Sequence, residues 1–268
     1  MNDDWPRKTF VVTGAASGIG AAIARLLKTR GACVIALDRR WPGDDASDEF
    51  IEFDQGDEKS ITDASAQIRR PVDGLFNVAG VPPSPRISAA ELLNVNFFGL
   101  RLLTEQIAPH LNAGSAVINM SSHAGWRWRE NASFAVPFLA LRNGTDIAAA
   151  VKRAGVITDG LGDRSAYPLS KQLLNLWTAQ SAVNADARGI RMNAVSCAGV
   201  ATPILDDFFT SFGEESAARI RAIGLAQPED IAPALAFLAS SDARWIKGAI
   251  IPVDGGASAM GALKALGL

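Results

Sequence analysis

Residues 9–20 read Thr9-Phe10-Val11-Val12-Thr13-Gly14-Ala15-Ala16-Ser17-Gly18-Ile19-Gly20, and this stretch decides the fold. A short apolar, β-branched run breaks into a glycine-rich turn, and residues 21–30 follow with helical spacing. A strand, a glycine turn and a helix form the context that a dinucleotide-binding turn requires. Gly14 allows the tight turn, Gly18 lets the backbone approach a pyrophosphate, and Gly20 permits close packing of the helix. A purely structural role for the three glycines is the alternative.

Further short apolar runs alternate with helical segments along the rest of the chain. Six more strands are predicted at residues 33–38, 49–54, 72–78, 115–120, 190–196 and 249–253, with a long helix over 89–111. Strands that alternate with helices indicate a parallel sheet covered on both faces. The pattern predicts an α/β fold, a Rossmann-type doubly wound sheet of about seven strands in one domain over 1–268. Residues 126–164 resist this rhythm, and we interpret them as an insert containing a helix near 145–154.

The composition narrows the function classes. The chain has 268 residues, of which 48% are hydrophobic and 20% charged, and a formal net charge of −2. No bulk attraction to nucleic acid or to an anionic membrane follows from that charge. No apolar run approaches the ~20 residues of a membrane span, and the amino terminus lacks the apolar stretch of a signal peptide. Two cysteines and two histidines predict no disulfide framework and no metal site, so we expect a reducing, cytoplasmic setting.

Tyr167 is the only tyrosine, and Lys171 follows it at a distance of four residues. On a helix such residues share one face about 6 Å apart, so an ammonium group there favours the phenolate. Lowering a tyrosine pKa from about 10 to about 7 requires roughly 4 kcal/mol of preferential stabilisation of the anion. Lys171 together with a bound cationic nicotinamide ring could supply it. The alternative is a helical tyrosine beside a solvated lysine.

Two acids at the ends of predicted strands suggest how an adenosine would be held. Asp38 ends the second strand, where a carboxylate accepts hydrogen bonds from ribose hydroxyls and repels a 2′-phosphate, which favours NAD over NADP. Arg39 and Arg40 follow directly and leave NADP open, because guanidinium groups could meet a phosphate. Asp54, at the end of the third strand, is a candidate acceptor for the adenine amino group, or else an ordinary loop acid.

Several motifs along the chain together resemble the classical short-chain dehydrogenase/reductase family. They are Thr13-Gly14-(x3)-Gly18-Ile19-Gly20, Asn77-Val78-Ala79-Gly80, Asn94-Val95-Asn96, Ile118-Asn119-Met120-Ser121-Ser122, Tyr167-(x3)-Lys171 and Ile251-Pro252-Val253-Asp254-Gly255-Gly256. They occur in the family's order across nearly the whole chain. The usual Asn-Asn-Ala-Gly has become Asn77 followed by Val78, and Cys197-Ala198 stands where the family has Pro-Gly.

The resemblance implies an NAD-dependent alcohol dehydrogenase or carbonyl reductase. Tyr167 would be the general acid/base, Lys171 would lower its pKa, Ser122 would hydrogen-bond the substrate oxygen, and Asn96 would hold a water in a proton relay. Asn96 as a helix-kink residue and Ser121 in place of Ser122 are the alternatives. The predicted cofactor-binding set is Gly14, Ser17, Gly18, Ile19, Gly20, Asp38, Asp54, Gln55, Asn77, Ala79, Gly80, Tyr167, Lys171, Val200 and Thr202.

The insert and the segment after strand six suggest the substrate. The spacing between Ser122 and Tyr167 exceeds the usual family spacing by roughly thirty residues, a pattern that resembles the subgroup of bacterial 3α-hydroxysteroid and coniferyl-alcohol dehydrogenases. The predicted substrate-binding residues are Ser122, Trp126, Leu205, Phe208 and Phe209, with Phe212, Trp128 and Phe134 as further apolar walls. An apolar cyclic, aromatic or allylic alcohol of steroid, terpenoid or phenylpropanoid type is expected. We also expect a homo-oligomer, a dimer formed at the strand-seven end in preference to a tetramer.

Overall fold

A computed structural model describes residues 5–142, 145–183 and 188–268. The strands are β1 Thr9–Thr13, β2 Cys33–Asp38, β3 Glu49–Glu52, β4 Val72–Asn77, β5 Leu111–Ser122, β6 Arg191–Cys197 and β7 Ile250–Val253. The helices are α1 Gly18–Thr29, α2 Glu58–Gln67, α3 Ala89–Leu93, α4 Leu100–Ile107, α5 Ala132–Leu139, α6 Thr145–Ala154, α7 Ala166–Gln180, α8 Leu205–Phe212, α9 Glu214–Ile223, α10 Pro228–Ala239 and α11 Ala257–Ala265.

The seven strands form one sheet in the order β3-β2-β1-β4-β5-β6-β7. All six neighbouring pairs are parallel. The chain moves outward in opposite directions from the central pair β1 and β4, so the loops that follow these strands diverge and open a crevice. The predicted doubly wound α/β fold is confirmed.

The two faces of the sheet bury different helices, as the alternation along β1 requires. Phe10 and Val12 belong to a core cluster that includes residues of α1 and α10. Val11 points to the opposite face, where it belongs to a cluster with Ile61 of α2 and Leu103 of α4. Because consecutive side chains of a strand point to opposite faces, a strand covered on both faces must be apolar throughout.

Several predicted boundaries differ from the structure, most of them by one or two residues. The third strand ends at Glu52 instead of residue 54. The predicted helix over 89–111 is α3, a π-helical turn at Asn94–Gly99, α4 and a one-turn 3₁₀ helix at Ala108–His110. Pro109 lies in that last turn and has no N–H to donate, so it interrupts the i→i−4 hydrogen bonding and the α-helix ends at Ile107. β5 then begins at Leu111, four residues before the predicted start.

The insert folds onto α3 and α7. Its described residues contain α5 and α6, and side chains of both helices join one core cluster with residues of α3 and α7. The buried Arg101 of α4 fastens the end of α5, because its guanidinium donates to the carbonyls of Leu139, at 2.9 Å, and of Leu141. Asn131 donates to Gln172 Oε1 of α7 at 2.7 Å. The insert is therefore held to the body of the protein by apolar packing and by buried hydrogen bonds.

No helix within residues 5–142, 145–183 and 188–268 has the length and hydropathy needed to cross a bilayer. In the same part of the chain, no group of three or more histidine, cysteine, aspartate or glutamate side chains is placed to hold a metal ion.

Candidate active site

A cleft of about 1300 Å³ lies at the carboxyl ends of the strands, where the sheet order reverses. The glycine turn after β1 and the ends of β2, β4, β5 and β6 contribute to it at one end. At the other end, α8, α9 and α11 line it with mainly apolar side chains. Because ligands of open α/β sheets bind in such crevices, this cleft is the candidate active site.

The glycine turn has the backbone that its sequence predicts. Gly14 and Gly18 have φ values of 71° and 52°, in the left-handed region that favours glycine. A Cβ on Gly20 would lie 2.0 Å from the Gly14 carbonyl oxygen, so only glycine fits there. Ser17 is the N-cap of α1, yet its side chain caps no amide, and the first turn carries no acidic residue. The first turn of α1 therefore contributes no acidic side chain to the positive end of the helix dipole, and Ile19 lines the cleft beside it.

Asp38 lies in the cleft at the end of β2, as predicted. Its Oδ2 accepts a hydrogen bond from the Ala16 amide at 3.0 Å, and its Oδ1 accepts one from the Arg40 amide at 3.1 Å. These two bonds fix the carboxylate beside the glycine turn and still leave acceptor lone pairs. Arg39 and Arg40 also line the cleft, and both are exposed.

Asp54 and Gln55 line the cleft just after β3. Asp54 is exposed, and its Oδ1 accepts from the Gly56 amide at 2.8 Å, so part of its acceptor capacity shapes this turn. Gln55 is buried and donates to the carbonyls of Ala79 and Val95, at 3.2 and 2.7 Å. Its Oε1 is buried without a partner, so an acceptor next to the cleft remains unsatisfied in the protein alone.

Asn77 was predicted to bind the cofactor, but the structure does not place it among the residues that line the cleft. It is buried in β4, where its Nδ2 donates to Thr104 Oγ1 at 3.0 Å and to Asn119 Oδ1 at 2.9 Å. The prediction failed because strand alternation turns this side chain into the protein, toward α4 and β5. Asn77 therefore joins the sheet to a helix, and the residues that follow it, Val78, Ala79 and Gly80, line the cleft.

Thr13 has a structural role that the sequence analysis did not assign. Its Oγ1 accepts hydrogen bonds from the amides of Val78 and Ala79, both at 3.0 Å. This hydroxyl fixes the turn after β4 against the glycine turn after β1. A Cβ on Gly14 would lie 2.9 Å from the Ala79 Cα, so the two turns are in direct contact. The position of Thr13 directly before the first glycine is the signal that could have identified it.

Tyr167 and Lys171 lie on the first turns of α7, and both line the cleft. The Lys171 ammonium is 5.6 Å from the centre of the Tyr167 ring and donates to the Met120 carbonyl at 2.9 Å. Burial lowers the pKa of Lys171 to about 8. Burial also raises the pKa of Tyr167 above its ordinary value, the nearby Cys197 raises it further, and a hydrogen bond from Ser122 lowers it. In the protein alone, burial therefore outweighs the groups that favour the phenolate.

Ser121 and Ser122 end β5 and have different surroundings. The Ser121 hydroxyl is buried and donates to Asn175 Oδ1 of α7 at 2.7 Å. The Ser122 side chain is half-buried, accepts from the Ala124 amide at 3.2 Å, and lowers the pKa of the nearby Tyr167 phenol. Because consecutive strand residues point in opposite directions, one serine braces the sheet while the other meets the phenol.

Asn96 lies in the π-helical turn between α3 and α4 and is buried. Its side chain pairs with the backbone of Val81 in both directions, because Oδ1 accepts from the amide at 2.8 Å and Nδ2 donates to the carbonyl at 2.9 Å. A Cβ on Gly80 would lie 3.1 Å from Asn96 Oδ1 and 3.9 Å from Lys171 Nζ. Asn96 and Lys171 therefore converge on Gly80, although Asn96 does not itself line the cleft.

The turn after β6 carries the unusual Cys197-Ala198 pair into the cleft. Burial raises the pKa of the Cys197 thiol to about 11, so the group is a neutral thiol at pH 7. Val200 and Thr202 also line the cleft. The Thr202 side chain packs closely on the glycine turn, since a Cβ on Gly18 would lie 2.9 Å from its Cγ2.

The apolar end of the cleft is built from α8 and from one part of the insert. Phe208 and Phe212 cover the Tyr167 ring, with ring centres 4.8 and 5.9 Å away. Leu205 lines the cleft beside them, and Trp126 and Leu161 line it from the insert. An aromatic surface therefore faces the phenol.

Three aromatic residues that were predicted to form walls of the substrate site do not line the cleft. Phe209 does not line the cleft, because its position on α8 turns the ring toward Arg221, whose guanidinium carbon is 4.7 Å from the ring centre. Trp128 and Phe134 are also absent from the cleft. Both pack against the core cluster around α3 and α7. Residues 208 and 209 lie about 100° apart around a helix, so one phenylalanine faces the cleft while the next faces away.

The chain is similar in sequence and in structure to known proteins over nearly its whole length. The family model described as short chain dehydrogenase matches residues 8–136, and the one described as enoyl-(acyl carrier protein) reductase matches residues 135–258. Coniferyl-alcohol dehydrogenase of Pseudomonas sp. is 34% identical over 93% of this chain and 96% of its own length. The 3-alpha-hydroxysteroid dehydrogenase/carbonyl reductase of Comamonas testosteroni is 29% identical over 94% and 96%. The crystal structure of a Pseudomonas 3-alpha-hydroxysteroid dehydrogenase complexed with NADH has a TM-score of 0.78 and 27% identity, covering 96% of this chain and 99% of that one.

Proposed function

This chain belongs to the short-chain dehydrogenase/reductase family and is an oxidoreductase, and on that basis we propose that it interconverts an apolar alcohol and its carbonyl with NAD. Tyr167 is the proposed general acid/base. The observation that carries this proposal is the convergence of three side chains in one cleft, because Ser122, Tyr167 and Lys171 all line it and the Lys171 ammonium lies 5.6 Å from the centre of the Tyr167 ring. Ser122 is far from Tyr167 and Lys171 in the sequence, so it is the fold that brings it to them.

The residues of the cleft fit a nicotinamide dinucleotide. Gly14, Gly18 and Gly20 leave no side chain between the backbone and a pyrophosphate, and the N-terminus of α1 carries no capping side chain. Ser17 and Ile19 belong to the same turn, and Asp38, Asp54 and Gln55 would meet the adenosine. Ala79, Gly80, Val200 and Thr202 would meet the nicotinamide half together with Tyr167 and Lys171. When bound, the nicotinamide supplies the acceptor or donor of a hydride for the carbinol carbon.

The chain's own residues then handle the proton and the substrate oxygen. In the oxidation direction, the Tyr167 phenolate takes the hydroxyl proton of the alcohol, and in reduction the phenol returns it. Ser122 donates a hydrogen bond to the same oxygen while charge develops on it. The Lys171 ammonium stabilises the phenolate electrostatically. Asn96 holds the π-helical turn against Val81, and the backbone opened by that turn is the proposed site of the relay water.

NAD is proposed over NADP because of Asp38. Its fixed carboxylate would accept from the ribose hydroxyls and repel a 2′-phosphate. Hydrogen bonds to a charged group contribute about 1.5–3 kcal/mol, so Asp38→Ala should weaken NAD binding about 10- to 100-fold and narrow the gap to NADP. Arg40→Ala is the matched control, because it keeps the carboxylate. If Arg40→Ala weakens NADP binding strongly while Asp38→Ala leaves NAD binding unchanged, the enzyme uses NADP.

The proposed substrate is an apolar cyclic, aromatic or allylic alcohol of steroid, terpenoid or phenylpropanoid type. The aromatic surface of Trp126, Phe208 and Phe212 supports this class, since flat apolar rings pack well on aromatic side chains. Two relatives are named for a phenylpropanoid alcohol and for a hydroxysteroid, which agrees with the class.

A panel assay tests the proposal. NAD reduction is followed at 340 nm with cinnamyl alcohol, 3α-hydroxysteroids and cyclic terpene alcohols, for the natural protein and for Tyr167→Phe. We expect turnover with at least one class and a loss of at least about 10²-fold in kcat for the variant, which still binds NAD. A protein that binds NAD but oxidises none of these alcohols and reduces none of their carbonyls would instead support a catalytically silent dinucleotide sensor, which is the alternative.

A homodimer is proposed at the β7 edge of the sheet. β7 has a neighbour only on its β6 side within the described chain, and Trp245, before this strand, is 96% exposed. The insert covers part of α3 and α7, which removes that surface from contact with another subunit. Light scattering coupled to size-exclusion chromatography should give twice the 28.2 kDa chain mass. A tetrameric mass would contradict the proposal.

A further inference from the structure

His123 follows Ser122 directly and lines the cleft, but the proposed chemistry gives it no role. Its ring stacks against the Trp126 ring at 6.2 Å between centres and an interplanar angle of 3°. The apolar Ala124, Trp126 and Met260 also line the cleft. The imidazole is thus a polar group stacked on one of the apolar side chains of the cleft.

A short hydrogen-bond chain determines which ring nitrogen carries the proton. The Ser258 hydroxyl donates its only proton to Asp254 Oδ2, at 2.5 Å. The Ser258 oxygen lies 3.3 Å from His123 Nδ1 and therefore has only lone pairs to offer it. Nδ1 must then be the donor, and a neutral ring with a proton on Nδ1 has a bare Nε2. Asp254, 3.7 Å from Nδ1, is anchored by the amides of Gly256 and Ser258 at 3.1 and 3.0 Å.

The Nε2 atom of His123 is available to a ligand. Among the described residues, the buried side-chain nitrogen and oxygen atoms that lack a partner are Gln55 Oε1 and Asn77 Oδ1. His123 Nε2 is not one of them, and the hydrogen bond of this ring is made by Nδ1. Nε2 is therefore solvent-accessible. Burial lowers the pKa of His123, although Asp254 opposes this shift, so the imidazole is neutral at pH 7.

We propose that His123 determines substrate specificity by accepting, at Nε2, a hydrogen bond from a hydroxyl on the substrate's aromatic ring, separate from the alcohol that reacts. The inference rests on the proposed function and deepens it, because it selects hydroxylated aromatic alcohols from the broader class. The aromatic surface of Trp126, Phe208 and Phe212 would take the ring, and a phenolic hydroxyl is the donor that a bare imidazole nitrogen can accept. Ser258 positions the imidazole by holding its Nδ1 proton.

A substrate lacking this hydroxyl would leave Nε2 covered by an apolar ring without a partner. Sites built to hydrogen-bond a substrate group discriminate strongly against analogues that lack it, whereas apolar pockets discriminate weakly. His123 would thus raise kcat/KM for ring-hydroxylated substrates relative to substrates that lack the ring hydroxyl.

The test compares cinnamyl alcohol with 2-, 3- and 4-hydroxycinnamyl alcohol, for the natural protein and for His123→Phe. Phenylalanine keeps a flat ring against Trp126 and removes both nitrogens. We expect the natural protein to prefer at least one hydroxylated isomer, and His123→Phe to reduce that kcat/KM ratio about tenfold, the scale of one unsatisfied hydrogen bond. Ser258→Ala should reduce the ratio by a smaller factor, because the ring remains but its tautomer is no longer held.

A binding measurement separates this inference from the proposed function. In the Tyr167→Phe background, calorimetry with NAD present should show the preferred hydroxylated alcohol binding more tightly than cinnamyl alcohol, and His123→Phe should remove the difference. The result does not depend on turnover, so a failed oxidation assay sinks the proposed function alone. Equal ratios and equal affinity differences in the presence and absence of His123 would overturn the inference. A rise of more than threefold in the NAD dissociation constant of His123→Phe would also overturn it, because the histidine would then serve the cofactor.

Discussion

Replacing Lys171 by methionine should raise the pKa of Tyr167 by about 2 units in the NAD complex. The ammonium lies 5.6 Å from the centre of the phenol ring. A unit charge at that distance, with an effective dielectric constant of about 20, stabilises the phenolate by about 3 kcal/mol, which corresponds to about 2 pKa units. Methionine has a similar length and fills the buried space without the charge, so the change isolates the electrostatic effect.

The assay uses the fact that Tyr167 is the only tyrosine among the 268 residues. Ultraviolet difference absorbance against pH follows one phenol, and Tyr167→Phe provides the blank for the six tryptophans. In the protein without NAD, burial holds the pKa above its ordinary value, so little phenolate should form up to pH 10. With saturating NAD we expect the midpoint of the natural protein to fall well below 10, into the range near pH 8 where Lys171 still carries its charge, and that of Lys171→Met to lie about 2 units higher.

The outcome that refutes this reasoning is specific. If Lys171→Met, with NAD bound to saturation, titrates within half a unit of the natural protein, the lysine charge does not act on the phenol. The same conclusion would follow if the pH profile of kcat of Lys171→Met were not shifted to higher pH relative to that of the natural protein. Lys171 would then serve only to bind the cofactor.

Three further predictions concern the same cleft. Ser122→Ala should lower kcat by about 10²-fold or more, measured by steady-state kinetics. Ser121→Ala should instead lower the free energy of unfolding by about 1–3 kcal/mol, measured by urea unfolding, because it leaves the buried Asn175 Oδ1 without its donor. Lys171→Met should stabilise the NAD-free protein at pH 7 by up to about 3 kcal/mol, since burial depresses the lysine pKa from 10.5 to about 8. In the natural protein, the free-energy cost of burying the charged Lys171 is full below pH 8 and disappears as the pH rises to 10.5. The difference in unfolding free energy between the variant and the natural protein, measured with urea, should therefore vanish near pH 10.5. Gly20→Ala should weaken NAD binding measured by calorimetry, because its Cβ would lie 2.0 Å from the Gly14 carbonyl oxygen and must displace the turn.

The sequence predicted the sheet well because its signals are local. Each strand is a short apolar run ended by a turn, and the glycines of residues 14–20 stand between a strand and a helix, which is the context of a dinucleotide-binding turn. Strand ends were less certain, as β3 shows, because an apolar residue just beyond a strand keeps the same hydropathy after it leaves the ladder. The side chain of Asn77 was placed wrongly for a related reason: a motif states which residue is present and not toward which face it points.

The aromatic walls were predicted less well, since three phenylalanines on one short helix look alike in sequence. Only the rotation of α8 separates Phe208 and Phe212, which meet Tyr167, from Phe209, which meets Arg221. That rotation depends on contacts between distant segments, such as the bond from Ser211 Oγ to Asp159 Oδ1 at 3.1 Å, which joins α8 to the insert. No local pattern carries this information, and the path of the insert was unpredictable for the same reason.

The π-helical turn at Asn94–Gly99 carries a consequence for how this protein can change over evolutionary time. A π turn is equivalent to one extra residue accommodated within an α-helix, and such turns are frequent at functional sites. Deleting a single residue here would restore regular α-helical pairing and leave the flanking helices on their present faces, but it would shift the residues inside the turn. Asn96 could not then keep its pairing with the backbone of Val81. The helix would become more regular and the site would be lost, so single-residue deletions in this short segment are the length changes that a functional descendant is least able to accept.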